Sequence, residues 1–182
     1  MSTTTLARNY GMTRDEAEEM VAAFFRAMPG VKTWIEASHE HLREHGYVET
    51  PFGRRRYLVG IHSSDRREVS KALRQAQNTP IQSTASDCAL MLLTYMDAVL
   101  SKQDDKHCII GTVHDSIMVE CDPEDEAYVC SVIRDGLKMV NAMPWLRTPL
   151  IVDFAMGRHW SELEEFDPDT EFQQEDDEPE AV

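Results

Sequence analysis

Two short stretches of the chain carry residue types that chemistry needs. The first is His114-Asp115, set between the β-rich runs Cys108–Val113 and Ser116–Cys121. A carboxylate at such a tip is either an ordinary turn residue, bonded to its own backbone, or a ligand for a hard cation such as Mg²⁺, which prefers oxygen donors. His114 beside it suits packing or hydrogen bonding better than general-base work. The second stretch holds Arg74, Asn78 and Gln82, spaced every four residues. On a continuous helix that spacing puts all three on one face. They form there either a solvated surface or a hydrogen-bonding ridge suited to base-edge acceptors and sugar oxygens. A third feature is electrostatic. Arg54, Arg55, Arg56, Arg66, Arg67, Lys71 and Arg74 fall within 21 residues, opposed only by Asp65 and Glu68. That local excess of five positive charges is either a solvated face or a contact for phosphates.

These residues need elements to hold them. Thr13 and Glu16 have capping-box spacing, and Ala17, Met20, Val21, Phe24, Phe25 and Met28 follow on one helical face. Pro29-Gly30 is expected to end that helix, and a second runs from about Val31 to Glu44 and stops near Gly46. Tyr47–Thr50 and Arg54–Leu58 flank Pro51-Phe52-Gly53 as a hairpin. A helix bearing much of the basic stripe runs to about Gln77, where Pro80 should bend or break it. Helical periodicity resumes through Ala85, Cys88, Ala89, Leu92, Met96 and Val99. The runs on either side of His114-Asp115 read as a second hairpin. Asp122 as N-cap and Pro123 in the first turn open a further helix, and Leu150–Phe154 reads as a last strand, closed by Gly157 and Trp160. Strands interrupted by long helices predict an α+β fold.

Composition narrows the class. The 182 residues include 42% hydrophobic and 28% charged, enough for one domain and tight for two. No stretch approaches the roughly 20 apolar residues of a membrane span, and the start lacks a signal peptide. Cys88, Cys108, Cys121 and Cys130 show no Cys-x-x-Cys pairing and fall in segments that read as buried, so neither a disulfide framework nor a zinc site is expected and a reducing compartment fits. The net charge of -15 is uneven: residues 161–182 hold 11 acidic residues and no Lys or Arg, while the first 160 residues balance at -4. That acidic tail is expected to be disordered, as a solubilising segment or one that recruits a partner.

In order along the chain, these pieces resemble one family. The run Arg74-Gln75-Ala76-Gln77-Asn78-Thr79-Pro80-Ile81-Gln82-Ser83-Thr84-Ala85-Ser86-Asp87 resembles the helix that follows the fingers in family A (polymerase I type) DNA polymerases, and Thr112-Val113-His114-Asp115-Ser116 resembles that family's motif C hairpin. Arg14, Glu16, Ala17 and Pro29-Gly30-Val31 fit its fingers helices. Gly46–Thr50 and Gly53–Leu58 fit the hairpin after them, and Gly157 with Trp160 fits its C-terminal end. The match runs from about Met1 to Trp160. It implies partial fingers over 1–45, a portion of the palm with an antiparallel sheet over 46–160, and a disordered acidic tail over 161–182.

The resemblance implies roles position by position. Asp115 would be one of two aspartates holding a catalytic Mg²⁺ pair, and His114 would contact the primer end. Arg74, Asn78 and Gln82 would lie along the minor groove of the primer–template, and Arg54 to Arg56 would meet phosphate. The implied partners are primer–template DNA and deoxynucleoside triphosphates, in the cytoplasm of a bacterial or phage-infected cell. Two departures stand out. Ser116 occupies the place where the family commonly has Glu, an exchange that some phage-type relatives share. The match also leaves out the nucleotide-binding fingers helix, the motif A strand, the thumb and any exonuclease domain. Because one carboxylate does not hold two divalent ions, the resemblance implies a phage-like split or truncated form that is inactive alone and is completed by a second polymerase chain. The alternatives are a non-catalytic duplex DNA-binding or interaction module built from polymerase parts, and a truncated frame that makes no stable protein.

Overall fold

The computed structural model describes residues 3–102 and 106–172, and the chain divides into two compact units at Thr84/Ala85. The first unit opens with α1 (Thr3–Tyr10), a helix that sequence periodicity does not signal because it buries no residue. It closes as a Schellman-type end: Gly11 takes φ +64° and Met12 N–H reaches back to the Ala7 carbonyl at 3.1 Å. Helix α2 (Arg14–Ala27) has both halves of the capping box, Glu16 N–H to Thr13 Oγ1 at 3.3 Å and Thr13 N–H to Glu16 Oε2 at 2.7 Å. Of its apolar row only Ala17 is buried, while Met20 and Phe24 are exposed. Pro29-Gly30 does not form a gap. Pro29 is the first residue of α3 (Pro29–His45), where its missing N–H costs nothing. Gly46, at φ +75°, ends α3 by donating to the Leu42 carbonyl at 2.8 Å.

Strands β1 (Tyr47–Glu49) and β2 (Arg55–Tyr57) then pair antiparallel, Val48 opposite Arg56. A 3₁₀ turn at Val59–His62 leads to α4 (Arg66–Leu100). Leu42, Val48, Leu58, Ile61, Ala72 and Ala76 form the core of this unit, with Val69 and Leu73 packed against it. Pro80 lies inside α4 and does not break it. The missing N–H removes a single backbone bond. The turn around it is held on both sides, by Arg56 Nη1 donating to the buried Thr79 Oγ1 at 3.0 Å and by Thr84 Oγ1 donating to the Pro80 carbonyl at 2.5 Å.

In the second unit, the last part of α4 buries Cys88, Leu92, Met96 and Leu100, and α5 (Glu126–Asn141) buries Val129, Cys130, Val132 and Val140. Gly136 allows the two helices to approach: a Cβ there would come 2.6 Å from Leu92 Cδ1 and 2.8 Å from Tyr95 Cδ1. Strands β3 (Cys108–Val113) and β4 (Ser116–Glu120) form the second hairpin, with a β-bulge at Ile110 between the Ile109↔Val119 and Gly111↔Met118 pairs. The fold is α+β, but its antiparallel strands form three separate two-stranded sheets among the described residues.

Four expectations are corrected here. Asp122 precedes a 3₁₀ turn, Pro123–Asp125, and its side chain makes no capping bond; α5 begins only at Glu126. The strand expected over Leu150–Phe154 is β5 (Phe154–Met156), which does not start at Leu150 and is not the last, because the Asn141 side chain takes both Leu150 backbone groups, at 2.8 and 3.0 Å. Cys108 is exposed rather than buried. The acidic tail is structured through residue 172: β6 (Glu164–Phe166) pairs with β5, and α6 (Pro168–Glu171) follows. The order comes from its few aromatic residues. Phe166 meets Phe154 and Phe172 edge-on at 6.0 Å each, and Arg134 pairs with Asp169 at 2.7 Å. The turn between β5 and β6 needs Gly157, whose Cβ would sit 2.4 Å from the Glu162 carbonyl oxygen. The expectation for residues 173–182 lies outside the described residues.

Candidate functional site

His114 and Asp115 form the whole tip of the β3–β4 hairpin, closed by the Val113↔Ser116 pair. A two-residue loop of this kind requires positive φ, and His114 supplies it at +57°. Outside glycine that conformation costs about 1 kcal/mol, and the ladder on both sides enforces it. Asp115 is exposed, presented on a short, hydrogen-bonded support. The donor set suits a hard cation in part. Asp115 offers one carboxylate and Ser116 a neutral hydroxyl, whereas the hairpin's other acid, Glu120, sits at its far end opposite Cys108. The tip by itself offers a divalent ion a single charged ligand.

Arg74, Asn78 and Gln82 are all exposed on α4, on the side away from the buried Ala72, Ala76 and Thr79. Arg74 Nη1 is steadied by Ser70 Oγ at 2.9 Å. The row is therefore a polar ridge on a helix whose opposite side is locked into the core. Arg54, Arg55 and Arg56 are exposed on the neighbouring hairpin. Arg55 is engaged locally. Its Nε donates to Glu49 Oε2, and its guanidinium lies 4.7 Å from the Tyr47 ring centroid. The Glu49 hydrogen bond, then its charge, push the Arg55 pKa above its already high value, so Arg55 stays cationic. The ridge and arginines belong to the first unit and the carboxylate tip to the second.

One constellation escaped the sequence reading. The carboxylates of Asp122, Glu124 and Asp125 lie within 4.8 Å of one another. The signal was the run Asp-Pro-Glu-Asp-Glu over 122–126. It does not complete the tip, because six residues of largely extended chain separate Asp122 from Asp115, a span of about 20 Å. Burial pushes the Cys88, Cys121 and Cys130 thiols upward, Cys130 to about 11, so none of these is a ready nucleophile. No described helix is long and apolar enough to cross a membrane.

The chain is similar to known proteins along most of its length. A family model, DNA polymerase family A, matches residues 1–162. The chain is 35% identical over 159 residues to DNA polymerase I of Chloroflexus aurantiacus, covering 87% of this chain and 16% of that protein. It is 36% identical over 165 residues to the thermostable DNA polymerase I of Thermus filiformis, covering 91% and 19%. The fold matches the POL domain of Pol1 from M. smegmatis, solved with DNA primer-template and dNTP, at a TM-score of 0.73 and 27% identity, over 76% of this chain and 24% of that one. The chain thus spans less than a fifth of the length of these two polymerases.

Proposed function

The chain belongs to DNA polymerase family A, and from that premise we propose that it supplies the motif C half of a site for template-directed nucleotidyl transfer in DNA replication. The observation that carries this reading is the exposed Asp115 carboxylate on its two-residue, positive-φ tip, in a chain matched to the family over 162 residues. Asp115 would ligate divalent magnesium, which when bound makes a primer 3′-hydroxyl more acidic and neutralises the triphosphate. The other carboxylate comes from a second polymerase chain bearing motif A and the nucleotide-binding helix. His114 contacts the primer end. The ridge of Arg74, Asn78 and Gln82 donates to minor-groove acceptors, which are similar for every base pair and so report pair geometry rather than sequence. Arg54 and Arg55 meet backbone phosphate, a contribution that salt weakens. The work takes place in the cytoplasm of a bacterial or phage-infected cell.

Coexpression with a chain that carries the missing motif A strand, followed by primer extension, tests the proposal. The pair should extend a primer, and Asp115→Asn should slow it by at least about 100-fold, as expected for loss of a metal-binding group. Extension at an undiminished rate by the Asn variant would remove Asp115 from the mechanism. The single carboxylate at the tip favours one other reading, a non-catalytic duplex-binding module. That reading stands if no pair extends primers while the chain alone binds duplex DNA with a steep salt dependence.

A further inference from the structure

Neighbouring arginines on β2 do different things. Side chains alternate along a strand, and residues opposite one another across an antiparallel pair share a face. Tyr47, Glu49, Arg55 and Tyr57 therefore lie on one face of the first hairpin, where the two tyrosine rings stand 5.5 Å apart and Glu49 holds Arg55. Arg56 lies on the other face, opposite Val48, which is buried in the core of the first unit. From there its Nη1 donates to Thr79 Oγ1 at 3.0 Å, and Thr79 is only 5% exposed. A guanidinium anchored on a buried hydroxyl is tied to α4 rather than left to solvent.

The point of attachment is the weak turn of α4. Thr79 precedes Pro80, which offers no N–H to the Ala76 carbonyl one turn back and crowds it with its ring. Sharp helix kinks, above about 20°, occur chiefly at proline, yet α4 runs on through Pro80. Asn78 and Gln82 straddle that proline, two residues before it and two after. They are about 6 Å apart along the helix axis. A bend of about 20° between them would carry Gln82 sideways by about 2 Å, whereas hydrogen-bond lengths vary over only about 0.5 Å. Alignment of the ridge therefore depends on what holds this turn.

We propose that Arg56 is a positioning residue for duplex DNA: its bond to Thr79 braces α4 at Pro80 and so keeps Asn78 and Gln82 in one row for the minor groove. The proposal rests on the reading of that ridge as a minor-groove contact. Arg56 itself stays off the phosphates, although its place in the basic stripe groups it with them. The brace has a rigid base, because Val48, its partner across the ladder, is fixed in the core. Thr84 Oγ1 donates to the Pro80 carbonyl at 2.5 Å and closes the turn from the far side. That bond lies within α4, however, so Arg56 alone of the two ties the turn to another element.

Thr79→Val tests the brace, because it removes the acceptor and leaves every charge of the chain in place. Two measurements are made on the full chain: amide hydrogen exchange across the turn after Pro80, and fluorescence anisotropy with a labelled primer–template duplex. Thr79→Val and Arg56→Gln should each speed exchange at Gln82 and Ser83 by about fivefold, the equivalent of one hydrogen bond, while Thr79→Ser keeps the native rate. Duplex binding should weaken by about fivefold in both, with the salt dependence of the unaltered chain. Adding Thr79→Val to Gln82→Ala should weaken it no further, because the two act on the same contact. A phosphate contact behaves differently: Arg56→Gln alone would flatten the salt dependence by about one counterion, and Thr79→Val would do nothing. That pattern, or native exchange in Thr79→Val, overturns the proposal. Faster exchange in both variants of a chain that binds no duplex at low salt would keep the brace but remove the groove reading, and with it the purpose assigned to Arg56.

Discussion

Gly136→Ala sets two effects of known size against each other. In a helix interior, alanine is favoured over glycine by about 0.8–1 kcal/mol, so propensity alone makes the variant more stable. The new methyl, however, would stand 2.6 Å from Leu92 Cδ1 and 2.8 Å from Tyr95 Cδ1, about 1 Å inside the carbon–carbon contact optimum. Leu92 is 7% exposed and has little room to retreat, and overpacking of this kind costs about 1–3 kcal/mol. Overlap should win, with a net loss of about 1 kcal/mol and a melting midpoint lower by about 2–4 °C for a chain of this size. Thermal and urea denaturation of the full chain measure it, and a double-mutant cycle identifies the cause. With Leu92→Ala already in place the methyl has room, so adding Gly136→Ala should become neutral or stabilising. A rise in midpoint for the single variant would refute the close approach of α4 and α5.

Three further outcomes follow. Leu42 is fully buried in the first unit, so Leu42→Ala should destabilise the chain by about 2–5 kcal/mol in urea. Partial burial holds the His39 pKa below its ordinary 6.5. The unfolded chain therefore takes up the proton first, and stability should fall as pH drops through 6.5 toward the lower folded value. Denaturation across that range should show a flatter profile for His39→Gln, and an equally steep one would remove His39 as the source. Asn78→Ala and Gln82→Ala, on the exposed ridge, should each change stability by under about 0.5 kcal/mol while weakening duplex DNA binding by about 1 kcal/mol through one lost hydrogen bond. Fluorescence anisotropy with a labelled duplex would separate the two.

Local signals were the legible part of the fold. The Thr13/Glu16 box, the glycine stop at Gly46, both hairpins and the common face of Arg74, Asn78 and Gln82 all follow from spacing, and each formed as read. What spacing did not carry was long-range satisfaction. Pro80 was expected to bend or break α4, but partners on both sides of it, Arg56 among them from 24 residues away, hold the helix through it. Leu150 reads as strand, but Asn141 takes its backbone groups. The acids of 161–172 suggested disorder, but two phenylalanines anchor them to Phe154 and to one another. The same limit applies to chemistry. Asp115 and the ridge were visible as residue types, whereas the meeting of His107 with Asp125 crosses an entire hairpin and has no signature in spacing.

The bulge at Ile110 puts a bend in the arm that carries Asp115. One unpaired residue bends its strand and increases the local twist, while the pairs on either side keep their partners, Ile109↔Val119 before it and Gly111↔Met118 and Thr112↔Ile117 beyond it. Excising Ile110 would make those pairs consecutive in a regular ladder and leave every remaining side chain on its own face. What it would take away is the kink, so the ribbon would straighten and the acid would ride on a flatter arm.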